Sequence, residues 1–306
     1  MKQFRIYISA CVILLTGMMG VRAQQMPQFT QYMMNSYVIN PAVAGTYNHY
    51  KIKLNGRYQW LGFPESAPQD LFFSVYGPSE TQDMGWGGLV YSDVTGPTSR
   101  LGMLGSYAYN VSLHEDMRLS MGASLGVNQY KISFSQLNSG TNNYDPKLPS
   151  VDQAAWVPDA NIGLYLWSTS YYAGFSAHQL IRNKLDLVED IDSDTISGIN
   201  RLKVHFYMTG GYAFILSDEY ILETFAMVKG LTPVPIQWEL SAKMTYDRMF
   251  WGGISYRHKD ALSFLTGISY EKYGLGISYD FLLSEIRRWG TGSVEIMISY
   301  RFDDIK

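Results

Sequence analysis

The sequence predicts an all-β fold, a transmembrane antiparallel β-barrel of about 14 strands (between about 12 and 16), preceded by an N-terminal non-barrel segment. Three observations predict it. Charged residues make up only 17% of the 306 residues and aromatics reach 15%, with 24 tyrosines, whereas soluble domains carry roughly a quarter charged residues. No run after residue 23 approaches the ~18 apolar residues of a helical span. Apolar and polar residues instead alternate with period two, which sorts them onto the two faces of a strand.

Residues 1–23 read as a cleaved signal peptide. Lys2 and Arg5 supply a positive start, Ile8 to Leu15 an apolar core, and Val21-Arg22-Ala23 a cleavage site. Cys11, the only cysteine, leaves with it, which excludes a disulfide scaffold or a thiol–metal protein. Losing Lys2, Arg5 and Arg22 takes Lys plus Arg from 24 to 21 against 27 Asp plus Glu, a net charge of −6. That balance argues against nucleic acid as a partner.

Residues 24–48 form an N-terminal motif segment too polar to span a membrane. Residues 49–302 form the barrel, and 303–306 a C-terminal tail. The clearest strands are 117–128, 235–246, 273–281 and 293–302. In the second of these, Ile236, Trp238, Leu240, Ala242, Met244 and Tyr246 oppose Gln237, Glu239, Ser241, Lys243 and Thr245. Strands are also expected at 49–60, 69–76, 97–111, 159–168, 170–177, 201–215 and 219–228. The segments 84–94, 249–257 and 260–270 mix faces, and bulges are expected at their glycines. Lipid cannot hydrogen-bond a backbone, so the sheet must close with its apolar rows outward. Tyr58, Trp60, Trp156, Trp167, Trp238, Tyr246, Tyr270 and Tyr300 near strand ends suit the aromatic girdles.

The links supply an independent test. Barrels of this class have short periplasmic turns and longer outer loops. Those at Ser168-Thr169, Leu216-Ser217-Asp218, Asp247-Arg248 and Glu271-Lys272 are very short, and each follows an even-numbered strand. The long links, 129–158, 178–200 and 282–292, each follow an odd-numbered one. Both chain ends are therefore expected in the periplasm and the protein in the bacterial outer membrane, in contact with its lipid.

The segment "PQFTQYMMNSYVINPAVAG", residues 27–45, resembles the start of mature proteins of the PorP/SprF family, through Pro27, Phe29, Thr30, Gln31, Tyr32, Met33, Asn35, Ile39, Asn40, Pro41, Ala42, Ala44 and Gly45. The likeness extends into 57–69 and 87–109. The resemblance implies an outer-membrane component of type IX secretion and gliding motility. Its implied partners are periplasmic ring or lipoprotein components of that system, or the C-terminal signal domain of a secreted adhesin. A core apparatus role and a client-specific role remain open.

The residues themselves suggest a segment that folds into the periplasmic mouth or lies across it. Pro27, Phe29, Gln31, Tyr32, Met33, Asn35, Asn40 and Pro41 are its candidate partner-docking residues. Arg118, Lys203, His205, Glu239, Lys243, Glu295 and Arg301 fall on inward rows as candidate lumen-lining residues, with Gly122, Gly126, Gly274 and Gly276 enlarging the space between them. The rival reading is an outer-membrane pore for small-solute transport, with those charges lining its path.

No catalytic or cofactor-binding pattern emerges, and an enzyme is not expected. The five histidines are scattered without metal-ligand spacing. Asp190, Asp192 and Asp194 open like a calcium loop. Thr195 and Arg201 then stand where glycine and glutamate are required, so an acidic outer loop is the expectation. The long loops 129–158 and 178–200 are expected to face a secreted client.

Overall fold

The computed structural model describes residues 27–63, 66–79, 83–134, 151–185, 201–231 and 234–302. The leader, the tail, the acidic stretch from 186 onward and the middle of the first long loop lie outside them.

Fourteen strands form one closed antiparallel barrel. They are β1 (Lys51–Tyr58), β2 (Gln69–Pro78), β3 (Met84–Thr95), β4 (Thr98–His114), β5 (Met117–Ile132), β6 (Gln153–Trp167) and β7 (Tyr171–His178). The second half comprises β8 (His205–Ile215), β9 (Tyr220–Leu231), β10 (Val234–Tyr246), β11 (Phe250–Arg257), β12 (Ala261–Tyr270), β13 (Tyr273–Leu282) and β14 (Ser293–Arg301). Each strand pairs with its neighbours in sequence, and β1 closes on β14 with Arg57 opposite Glu295. The alternation in sequence becomes a division of space. Along β13, Leu275, Ile277 and Phe281 are exposed on the outer face, whereas Ser278, Asp280 and Leu282 are buried on the inner one.

At one end of the barrel every link between strands is short. Asp247 and Arg248 both have positive φ, 49° and 53°, the geometry that joins two right-twisted strands across two residues. The links 59–68, 133–152, 179–204 and 283–292 all gather at the other end.

Four details depart from the sequence reading. β6 begins at Gln153, ahead of Pro158, because β5 pairs with it back to Ile132, while β7 pairs only with Ile162–Trp167. Pro158 faces no partner on that side, where its missing N–H costs nothing. β8 begins at His205 and not at 201, since β7 ends at its partner His178, which leaves Lys203 outside any strand. β3, β11 and β12 keep unbroken register through their glycines, and the register shifts lie instead in β4 at Ser112/His114 and in β10 at Val234/Gln237. Trp167 sits on the inner row, packed beside the buried cluster, and does not join a girdle.

That cluster marks the largest feature of the fold. Phe29, Tyr32, Tyr37, Val38, Ile39, Ala42, Val43 and Ala44 of the N-terminal segment pack against inward side chains such as Phe72, Tyr76, Tyr91, Tyr165 and Phe225. The hydrophobic core lies inside the cylinder, and the N-terminal segment supplies much of it.

Candidate functional site

The segment from Pro27 to Tyr50 owes its local shape to an asparagine and a proline. A short 3₁₀ turn, Ser36–Val38, leads to a second one, Pro41–Gly45. Asn40 between them is extended, as a residue preceding proline must be, and its side-chain oxygen accepts from the Ala42 N–H at 3.0 Å. Pro41 at the first turn position has no N–H left to satisfy. The Asn40 amide donates in the other direction to the Leu164 carbonyl on β6 at 2.9 Å. A single asparagine thus caps the turn and ties it to the wall.

Wall contacts follow the segment from one barrel end to the other. At the long-loop end Gln28 donates to Asp260, in the β11–β12 turn, at 3.0 Å. Tyr32 then meets Ser241, and Asn35 donates to Asn55 on β1 and Ser74 on β2 at 2.9 and 3.2 Å. Tyr37 donates to Ser106 on β4 at 2.8 Å. The Ile39, Ala42 and Gly45 carbonyls accept from Ser176, Ser120 and Asn110, at 2.5, 2.6 and 2.7 Å, the last two toward the short-turn end. Lys53 reaches the Met34 carbonyl.

Inner-row glycines make room for this path. A Cβ on Gly122 would collide with the backbone of Pro41 and Ala42, and one on Gly85 with that of Gly45. The space expected from Gly122 and Gly276 is taken up by the chain's own N-terminal segment, since Gly276 faces Gln31.

The tightest electrostatics lie where the segment enters at the long-loop end. Arg57 on β1 pairs with Asp280 at 2.7 Å and Glu295 at 3.4 Å. Arg257 on β11 pairs with Glu239 at 2.8 Å, Asp260 at 3.1 Å and Asp280 at 3.4 Å. Thr30 sits between the two guanidiniums, accepting from both at 2.9 and 3.0 Å while donating to Asp280 at 2.9 Å. Two arginines face three fully buried carboxylates, and the plug backbone supplies the missing donors. The Thr30 and Gln31 N–H groups donate to Glu295 at 2.6 and 3.2 Å. Buried charges need good pairing and further hydrogen bonds to be tolerated, and here the N-terminal segment supplies several of those bonds.

The expected docking residues are therefore placed differently from a free surface. Phe29, Gln31, Tyr32, Asn35, Asn40 and Pro41 are buried against the wall, and Pro27 and Met33 are half-buried. Their side chains fit the barrel's own interior. Among the lumen residues, Glu239 and Glu295 belong to the ionic cluster, and Lys243 pairs with Glu223 at 2.5 Å nearer the short-turn end. Arg118 pairs with Asp83 at 2.9 Å, and Arg301 is exposed at the short-turn rim. His205 is buried, whereas Lys203 is half-buried ahead of β8. Sequence reasoning did not single out Arg57, Asp280, Arg257 and Glu223 as lumen-lining candidates. Period two along "KIKLNGRY" and "YGLGISYDF" marks the first two, whereas Gly252 and Gly253 blur the alternation that would mark Arg257.

Beside Gln28 the long-loop end holds a cavity of about 690 Å³. Among the described residues no group of three or more metal-ligating side chains is placed to hold an ion. The arrangement is one of packing and ion pairing.

The family described as "Type IX secretion system membrane protein PorP/SprF" matches residues 21–300. No curated protein matches the chain. Several solved barrels share its fold. The CymD monoaromatic hydrocarbon channel has a TM-score of 0.54 at 14% identity, covering 95% of this chain and 97% of its own. The Ralstonia pickettii toluene transporter TbuX has 0.52 at 12%, covering 88% and 93%. A Pseudomonas aeruginosa FadL homologue has 0.51 at 13%, covering 93% and 96%.

Proposed function

The chain belongs to the PorP/SprF family of type IX secretion system membrane proteins, and from that premise we propose that it is a bacterial outer-membrane receptor that binds protein partners. In this reading residues 1–23 export the chain, the short-turn end faces the periplasm and the long-loop end faces outward. Periplasmic ring or lipoprotein components meet the short-turn rim, where Arg118, Asp83 and Arg301 present charge. The C-terminal signal domain of a secreted adhesin meets the long loops. The segment carrying the family motif acts from inside, holding the rims that partners touch in one shape.

One observation carries this reading: the lumen is packed with the chain's own residues 27–45. A filled cylinder obstructs solute flow, yet it holds its rims rigid for recognition. The rival reading, a small-solute pore, draws support from the printed descriptions of the similar barrels as a hydrocarbon channel and a toluene transporter. Two measurements on the same detergent-purified protein separate them. The receptor reading expects a silent planar bilayer and co-purification of a ring component or a secreted protein from native membranes. A steady current from the intact protein, with nothing co-purifying, would sink it.

A further inference from the structure

The cavity at the long-loop end is lined unevenly. Most of its charges are spent on one another: Arg57 and Arg257 pair with Asp280, Glu239, Glu295, Asp260 and Thr30. Two further groups on the inward rows keep unused capacity. Lys229, on the inner row of β9, forms no ion pair or hydrogen bond among the described residues. His205, 8% exposed at the start of β8, uses Nδ1–H to donate to the Lys203 carbonyl at 2.9 Å, and its Nε2 is buried with no partner.

These two groups are neighbours. Tyr207 pairs with Lys229 across β8 and β9, and His205 lies two positions along the same inward row. Diagonal same-face residues of this kind stand roughly 7–8 Å apart. Gln237 flanks Lys229 from β10. Tyr207, Leu231 and Leu282 supply an apolar wall to the same cavity. Side by side, therefore, are a cationic donor, a neutral acceptor and an apolar surface, in a space within the usual ~300–1,000 Å³ of ligand pockets.

A ligand that satisfies all three carries a carboxylate, an N–H a few bonds away and an apolar body. The last residue of a polypeptide has this constitution: its α-carboxylate, its own amide N–H and its side chain. We propose that this cavity binds the free C-terminus of an extracellular polypeptide. The α-carboxylate pairs with Lys229, the terminal amide N–H donates to His205 Nε2, and an apolar last side chain lies against Tyr207, Leu231 and Leu282. The proposal rests on the reading of the barrel as a receptor for a secreted protein, and it names the part of that protein which enters.

The test uses purified full-length barrel in detergent and a fluorescent octapeptide ending in leucine, followed by anisotropy. The free-acid peptide is expected to bind at least about tenfold more tightly than its C-terminal amide, since a charge-assisted hydrogen bond is lost. Lys229→Gln is expected to abolish that preference, and Lys229→Arg to restore it. His205→Phe is expected to weaken the peptide while leaving a small carboxylate such as benzoate unaffected. Heat-modifiable migration on gels checks that each variant is folded. Equal binding of acid and amide by folded wild-type protein overturns the proposal, as does competition by benzoate as strong as by the peptide. Either result leaves the receptor reading standing if a secreted protein still co-purifies through another surface.

Discussion

Arg257 is the residue on which the interior's electrostatics turn. Its side chain is 2% exposed and meets three carboxylates and a threonine hydroxyl. Removing one member of a buried ionic set costs about 3–5 kcal/mol, because the charges left behind remain dry and unpaired. Arg257→Ala is expected to lower the stability of the folded barrel by that amount, read as a shift in the urea midpoint in detergent. Replacing both charges, Arg257→Met with Glu239→Gln, is expected to recover more than half of the loss. If the single variant proved harmless, the cluster would have no structural weight. Glu239 and Glu295 were legible as inward residues from period two alone. Their partners were not, because alternation tells which way a side chain points and says nothing of which strand curls round to meet it.

At the scale of elements, the strands and the N-terminal segment were legible to different degrees. Fourteen strands could be counted because lipid enforces one rule on every one of them, apolar outward. Errors came at the starts of β6 and β8, one lengthened by the reach of β5 and the other cut where β7 ends, since a strand lasts as long as its neighbour does. The N-terminal segment obeys no such rule. Its mixture of Phe29, Gln31, Tyr32 and Asn35 suits a protein partner's surface and a barrel interior equally, so composition alone left its place open. The inner-row glycines were the signal that pointed inward, and Gly122 provides the test. Gly122→Val is expected to push against the backbone of the second 3₁₀ turn and destabilise the protein by about 1–3 kcal/mol, as overpacking does. Gly105→Ala, at an outward position with nothing within 4 Å of the new Cβ, is expected to fall within about 0.5 kcal/mol of wild type. Equal effects from the two would show that the segment does not bear on the wall.

For the molecule as a whole, the path of the segment sets its topology in the membrane. Gln28 meets the β11–β12 turn at the long-loop end, and Gly45 lies toward the short-turn end. The chain therefore crosses the barrel once inside before its first strand crosses in the wall. With the long loops outward, Gln28 stands near the cell exterior. The sequence has one cysteine, Cys11, which falls inside the proposed leader. Gln28→Cys is thus expected to react on intact cells with a large impermeant maleimide. Asp116→Cys, exposed in the β4–β5 turn, is expected to react only once the outer membrane is opened. The reverse pattern would invert the orientation and move the proposed polypeptide-terminus pocket to the periplasm.

The seam between β1 and β14 acquires a further meaning from the same ionic cluster. Arg57 faces Glu295 directly across it, with Asp280 one strand on and Thr30 bridging to Arg257. Slipping the closure by one residue would turn Arg57 toward hydrocarbon, and adding a strand would part it from both carboxylates. Mis-zipped rings leave stranded charge, so the polypeptide carries its own proofreading of circumference. It certifies a correctly joined cylinder by electrical neutrality at a single spot.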